Sequence, residues 1–282
     1  MNNSVIEDIK FKVLKSGNPV FLYMGINITI FVAFSLIAVV VFFLGYQGLV
    51  EGFVTNYLAF PSNPNLWLSH FYTPLTYQFF HADIFHILFN MLWLYWMGQL
   101  FLSFVKPRQF HFVYLGGGIL GALFYALMYN VMPAFQSVVS SSTVTGSSAA
   151  VMAIFVAVAT LVPDYSIRLL LIGNVKLKYL VMVYIVLDII AMKSYNAGGS
   201  IAHLGGALFG FTYIKFLQSG KDLSTILKKK PKLRVVKNEA AKKTTTTVNQ
   251  QEIDAILDKI SKTGYDKLTR EEKQTLFNAS KN

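Results

Sequence analysis

The sequence predicts an all-α integral membrane protein, a six-transmembrane-helix bundle followed by a small cytoplasmic helical hairpin at the C-terminus. Three observations predict it. Hydrophobic residues make up 54% of the 282 residues against 14% charged, and the mean hydropathy is +0.48, a balance too apolar for a soluble chain of this length. Asp, Glu, Lys and Arg are missing from several runs long enough to cross a bilayer, which takes about 20 apolar residues. The basic residues that flank those runs fall almost entirely on one side.

No such charge lies between Lys15 and Glu51, which gives a first span at about 20 to 45. It is too long for a signal-peptide core and has no small-residue cleavage site after it, so it reads as a retained span. The thirty or so residues that follow are unusually apolar for a water-exposed loop, and they read as lying at the outer leaflet interface, with Trp67, Tyr72 and Tyr77 suited to that depth, or else as an ordinary folded outer loop. The second span lies between Asp83 and Lys106. The charge-free run from Arg108 to Asp164 is divided by "MPAFQSVVSSSTVTGS" into span three, about 109 to 131, and span four, about 146 to 163. Span five, "YLVMVYIVLDII", is short and carries Asp188, and span six runs from Gly199 to about Phe216.

In this arrangement Lys10, Lys12, Lys15, Lys106, Arg108, Arg168, Lys176, Lys178, Lys215 and Lys221 share one side, with only Lys193 opposite. The rule that basic loops stay inside then places both termini in the cytoplasm. The chain divides into a cytoplasmic N-terminal segment (1–19), a membrane domain (20–218), a basic flexible linker (219–248) and a C-terminal helix-turn-helix element (249–282). In that last element Ile253, Ile256, Leu257 and Ile260 recur at helical spacing. Gly264 fits a stop, and Thr269 with Glu272 fits a capping box before Leu276 and Phe277. So small a hairpin has little core, which leaves a partner-binding, regulatory or passive role open.

The formal net charge is +11, and 15 of the 25 basic residues lie in 219–282. That places anionic lipid headgroups ahead of nucleic acid as the partner of the tail. There is no cysteine, which excludes disulfides, cysteine nucleophiles and thiolate metal sites.

Polar groups inside spans cost several kcal/mol unless partnered, so each is a candidate functional residue. His86 and Asn90 are four apart and share one helical face. His203 sits about one turn inside span six, and Ser147 and Ser148 open span four. In the six-span topology all of these lie near the outer ends of their helices, at one level. His203, Gly206 and Gly210 follow helical spacing, and a glycine stripe lets helices approach closely. Ala149, Ala150 and Ala153 are small partners for it on span four. Spans four and six are therefore expected to touch, bringing a serine hydroxyl beside an imidazole, the minimal base-activated nucleophile. The free backbone N–H groups at the start of span four, the Asn90 amide and a His86 ring N–H would serve as donors to an oxyanion. This set needs no buried carboxylate as third member. Asp188 reads as a third catalytic member, an ion-pair partner of Lys193 or an interior hydrogen-bonding group. His81 reads as structural, Ser147 as a capping or bystander hydroxyl, and His70 and His111 have no evident partners. A metal site at His81, His86 and His203 lacks a carboxylate at H-E-x-x-H spacing.

These residues resemble the rhomboid intramembrane serine proteases. The family's G-x-S-x motif is similar to Gly146-Ser147-Ser148-Ala149, its H-x4-H-x3-N pattern to His81, His86 and Asn90, and its A-H-x-G-G-x-x-x-G pattern to Ala202 through Gly210. The resemblance covers about residues 20 to 218. It implies Ser148 as nucleophile, His203 as base, and His86 and Asn90 as oxyanion donors, with Gly146, Gly206 and Gly210 packing around the site. It also implies substrates with one easily unwound membrane helix, cleavage after a small residue near the outer membrane face, and no cofactor or metal. Three positions depart from the pattern. Ala149 stands where a glycine commonly follows the nucleophile, Met152 where an aromatic often packs on the catalytic histidine, and Tyr72-Thr73 where many members have Trp-Arg. The rival readings are an inactive relative that binds membrane clients, and a transporter. The latter lacks support from any internal repeat.

Overall fold

The computed structural model describes residues 4–169, 173–193, 196–226 and 249–280. The chain forms two compact units, residues 1–228 and 229–282. The basic linker at 219–248 lies mostly outside the described residues.

Unit one opens with α1 (Val5–Lys10), which a Ser4–Glu7 capping box starts and a wide helical turn through Lys15 continues. Asn18 then caps α2 (Pro19–Phe43), whose proline sits at its first position, where a missing N–H costs nothing. Pro19, Val20, Tyr23 and Asn27 are buried, whereas Leu36, Ile37, Val40 and Phe43 are exposed. So apolar an outer face suits hydrocarbon rather than water.

The segment read as an interfacial loop is folded. It contains α3 (Leu49–Phe53), β1 (Phe60–Pro61) and α4 (Thr73–Thr76). The Trp67 indole N–H donates to the Pro61 carbonyl at 3.0 Å. Tyr77 is not an interface anchor. It is 1% exposed, and its hydroxyl donates to the Gly118 carbonyl at 2.6 Å. A buried phenol needs such a partner, which makes Tyr77 a core residue.

The remaining helices of this unit are α5 (Ile84–Leu102), α6 (Pro107–Val131), α7 (Ser148–Leu161), α8 (Leu177–Ala191) and α9 (Ala197–Gln218). Between α6 and α7, β2 (Thr143–Val144) pairs antiparallel with β1, setting Phe60 opposite Val144. Between α7 and α8, β3 (Ser166–Leu169) and β4 (Gly173–Lys176) form a hairpin that the sequence reading did not anticipate. Among the described residues, α2, α5 and α6 are long and apolar enough to cross a membrane, and α7 is a shorter apolar helix.

Helix α7 is the axis of the packing. Every residue from Ala149 to Ala159 is buried, as expected for a helix apolar all round. On one side α6 and α9 close on it through small residues. Added methyl groups at Gly117 and Gly121 of α6 would run into Ala153 and Ala149, and those at Gly206 and Gly210 of α9 into the carbonyls of Ala149 and Ala153. On another side the α5 indole of Trp93 stacks on Phe155 at 5.1 Å.

Unit two contains α10 (Gln250–Thr263) and α11 (Arg270–Ala279). Gly264, with φ of 85°, ends the first, and a Thr269–Glu272 capping box starts the second. Lys259 and Glu272 are ion-paired at 2.7 Å, and Ile256 and Leu268 are buried. The Lys259 ammonium holds the Glu272 carboxyl below its ordinary range.

Candidate active site

The approach to α7 is held from both sides. β1–β2 pairing anchors Val144, and the Gly146 N–H donates to the Tyr77 carbonyl at 2.9 Å. Gly146 has a φ of 120°, which L side chains rarely adopt. A Cβ there would also stand 2.8 Å from the His86 ring. The glycine therefore serves both the turn and the imidazole packed over it, and it delivers the chain to Ser148, the first residue of α7.

His86 lies in the first turn of α5, where the Asp83 side chain accepts from its backbone N–H at 2.8 Å. One turn on, Asn90 is 7% exposed, and its amide nitrogen has no hydrogen-bond partner among the described residues. Ser147 does not cap α7. Its hydroxyl lies 3.1 Å from His81 Nε2, so it is tied to the loop before α5 rather than to its own helix.

His203 comes from α9. Its Nδ1 is 2.9 Å from Asp188 Oδ1 on α8. Asp188 thus forms the interior hydrogen bond that was one of its three sequence readings. It makes no ion pair with Lys193 among the described residues. A buried carboxylate thus accompanies the histidine, beside a set that the sequence alone reads as complete without one. The signal was present in the sequence: Leu177, Val181, Tyr184 and Asp188 recur at helical spacing and form one face of α8. Tyr184 also brings a ring to 6.4 Å from His203, supplying from α8 the aromatic that Met152 does not provide on α7. Met152 itself lines a small recess together with Ser148 and His203.

Ser148, His203, His86 and Asn90 all line one cavity of about 640 Å³, together with Trp93 and Tyr184. No hydrogen bond joins the Ser148 hydroxyl to His203. Catalytic hydrogen bonds are often long in ligand-free sites and tighten when substrate is bound. Gly206 and Gly210 lie one and two turns below His203, in contact with α7. Of the two histidines without evident partners, His111 meets the Tyr23 hydroxyl at 3.0 Å and His70 the Ser69 hydroxyl at 2.8 Å.

Residues 68–219, more than half of the chain, match the Rhomboid domain family. The chain belongs to the rhomboid family. A second match, to a family of unknown function (DUF6576), covers residues 243–282. Among curated proteins, presenilin-associated rhomboid-like protein A, mitochondrial, from Danio rerio is 29% identical over 146 residues, which is 49% of this chain and 36% of that relative. The match thus spans little more than a third of the relative's length. The rhomboid match takes in α5 through α9 and with them the whole cavity wall named above.

Proposed function

We propose that this rhomboid is an intramembrane serine endopeptidase that cleaves membrane segments of other proteins near the outer membrane face. The observation that carries the reading is that Ser148, at the start of α7, and His203, on α9, line one cavity while glycines below the histidine seat α9 against α7. Ser148 attacks the scissile carbonyl, and His203 takes its proton and returns it to the leaving amine. The free Ser148 N–H at the helix start, the Asn90 amide and His86 stabilise the oxyanion, each donor being worth about 3 kcal/mol in a water-excluded site. The chain crosses the membrane six times with both termini in the cytoplasm, and the basic stretch after α9 meets anionic headgroups. Substrates have a single span that unwinds near the site, because a helical peptide keeps its carbonyls engaged in its own hydrogen bonds.

Labelling of detergent-solubilised protein with a fluorophosphonate tests the reading. Labelling is expected in wild type and in Ser147→Ala, and is expected to vanish in Ser148→Ala and His203→Ala. Absence of labelling from every form, beside a working control hydrolase, would favour a rhomboid that binds membrane clients without cutting them.

A further inference from the structure

Helix α8 faces outward along most of its length: Val183, Val186, Leu187, Ile189 and Ile190 are exposed. The inward face carries Leu177, Val181 and Asp188, and Asp188, 6% exposed, is the polar member of that buried set. A carboxylate within an apolar span is costly unless it is partnered. Its single hydrogen bond among the described residues goes to one atom, Nδ1 of His203.

We propose that Asp188 is a positioning residue for His203, so that the site works as a serine, a histidine and an aspartate rather than as a serine and a histidine alone. The proposal rests on the hydrolytic reading above. With Nδ1–H donating to Asp188, the lone pair of the ring sits on Nε2, and the ring lines the same cavity as Ser148. As the Ser148 Oγ–carbon bond forms at the scissile carbonyl, the hydroxyl proton moves to Nε2. As the carbon–nitrogen bond breaks, the same proton passes to the leaving amine. A water molecule then repeats the sequence in place of the serine, releasing the acid. Asp188 takes no proton. It fixes the tautomer and faces the imidazolium with a negative charge at 2.9 Å, in surroundings where charges are weakly screened.

A simple tether between α8 and α9 would need only an acceptor, which an asparagine carbonyl also supplies. The proposed role needs the charge, so Asp188→Asn separates the two. In full-length protein in detergent micelles, cleavage of a fluorogenic single-span peptide by Asp188→Asn is expected to show a kcat lower by about 10²–10⁴-fold with KM within about twofold of wild type. Asp188→Glu is expected to recover at least about tenfold of that loss. A second measurement needs no variant of Asp188: ¹⁵N-histidine NMR of Ser148→Ala protein is expected to show His203 protonated on Nδ1 and bare on Nε2. An Asp188→Asn enzyme as fast as active wild type, or a His203 protonated on Nε2, overturns the role of Asp188 alone. Wild type that neither cleaves nor takes the fluorophosphonate overturns the hydrolytic reading and the proposal with it.

Discussion

Gly206 of α9 lies against the carbonyl of Ala149 on α7, with no room between them for a Cβ atom. Ala149 follows the proposed nucleophile and Gly206 follows the proposed base by three residues, so this contact sets the distance between the two reacting groups. The obstacle is backbone, which cannot rotate away as a flexible side-chain tip can. Gly206→Ala must therefore push the helices apart. The expected cost is about 1–3 kcal/mol of overpacking and about a 100-fold loss in labelling rate, because a shift near 1 Å in a catalytic pair has that effect. Thermal unfolding in detergent, read beside fluorophosphonate labelling, checks both. Labelling at the wild-type rate would show that the contact does not position the site.

Gly146→Ala tests the other approach to Ser148. The new methyl meets the His86 ring at 2.8 Å and is held at a φ of 120°. Strain of this kind costs about 1–3 kcal/mol, and it falls on the turn that presents Ser148 and on a proposed oxyanion donor together. The variant is expected to fold, to melt somewhat lower and to lose nearly all labelling. A melting point unchanged from wild type would mean that the turn has an alternative conformation open to alanine.

The helix positions were legible because a bilayer excludes charge, and charge-free runs therefore mark α2, α5, α6 and α7 directly. The contact of Gly206 and Gly210 with α7 was legible for a related reason: in hydrocarbon, small residues at helical spacing have few uses besides close approach. The Asp188–His203 bond was harder to find. Those residues are 15 apart on different helices, and whether Asp188 faces Lys193 or the bundle depends on how α8 is rotated, which packing decides. Tyr77 was misread because an aromatic with one polar tip suits an interface and a satisfied core site equally well, and only the Gly118 carbonyl distinguishes them. The β3–β4 hairpin escaped because its strands are four residues each: Ser166 to Leu169 does alternate polar and apolar, but so short a run is weak evidence for a strand.

Ser147 and His81 share a hydrogen bond at 3.1 Å one residue away from the proposed nucleophile. His81 Nδ1 has no partner among the described residues, so Ser147→Ala removes the shorter contact of Nε2 and leaves the ring only the long one from the backbone N–H of residue 147, at 3.5 Å. Removing one side of a buried bond costs about 1–3 kcal/mol. The expected result is a lower melting temperature with labelling within about threefold of wild type. A loss of labelling as complete as that of Ser148→Ala would move the active hydroxyl to position 147.

Away from the cavity, Asp222 joins the start of α6 to the segment after α9. Arg108 Nη2 donates to it at 2.7 Å, the Gln109 amide at 3.1 Å, the Tyr213 hydroxyl at 3.1 Å and the Ser224 hydroxyl at 2.6 Å. Partial burial pushes the Asp222 carboxyl up, but the hydrogen bonds from Ser224, Arg108 and Tyr213 outweigh it and hold the group below its ordinary value of 3.8. The unfolded chain therefore binds this proton more readily than the folded one. The resulting stability is fully present above the unfolded value and is lost as pH falls through the folded one. Asp222→Asn keeps the shape and an acceptor but removes the charge, and is expected to lower stability at pH 7 by about 1–3 kcal/mol. Below the ordinary value the gap between variant and wild type should begin to close, and it closes fully once pH passes the lowered folded value, where wild-type Asp222 is protonated as well. Unfolding followed from pH 7 down to pH 3 measures the gap directly. A difference that persists undiminished at the acid end would mean that the aspartate acts through shape and not through charge.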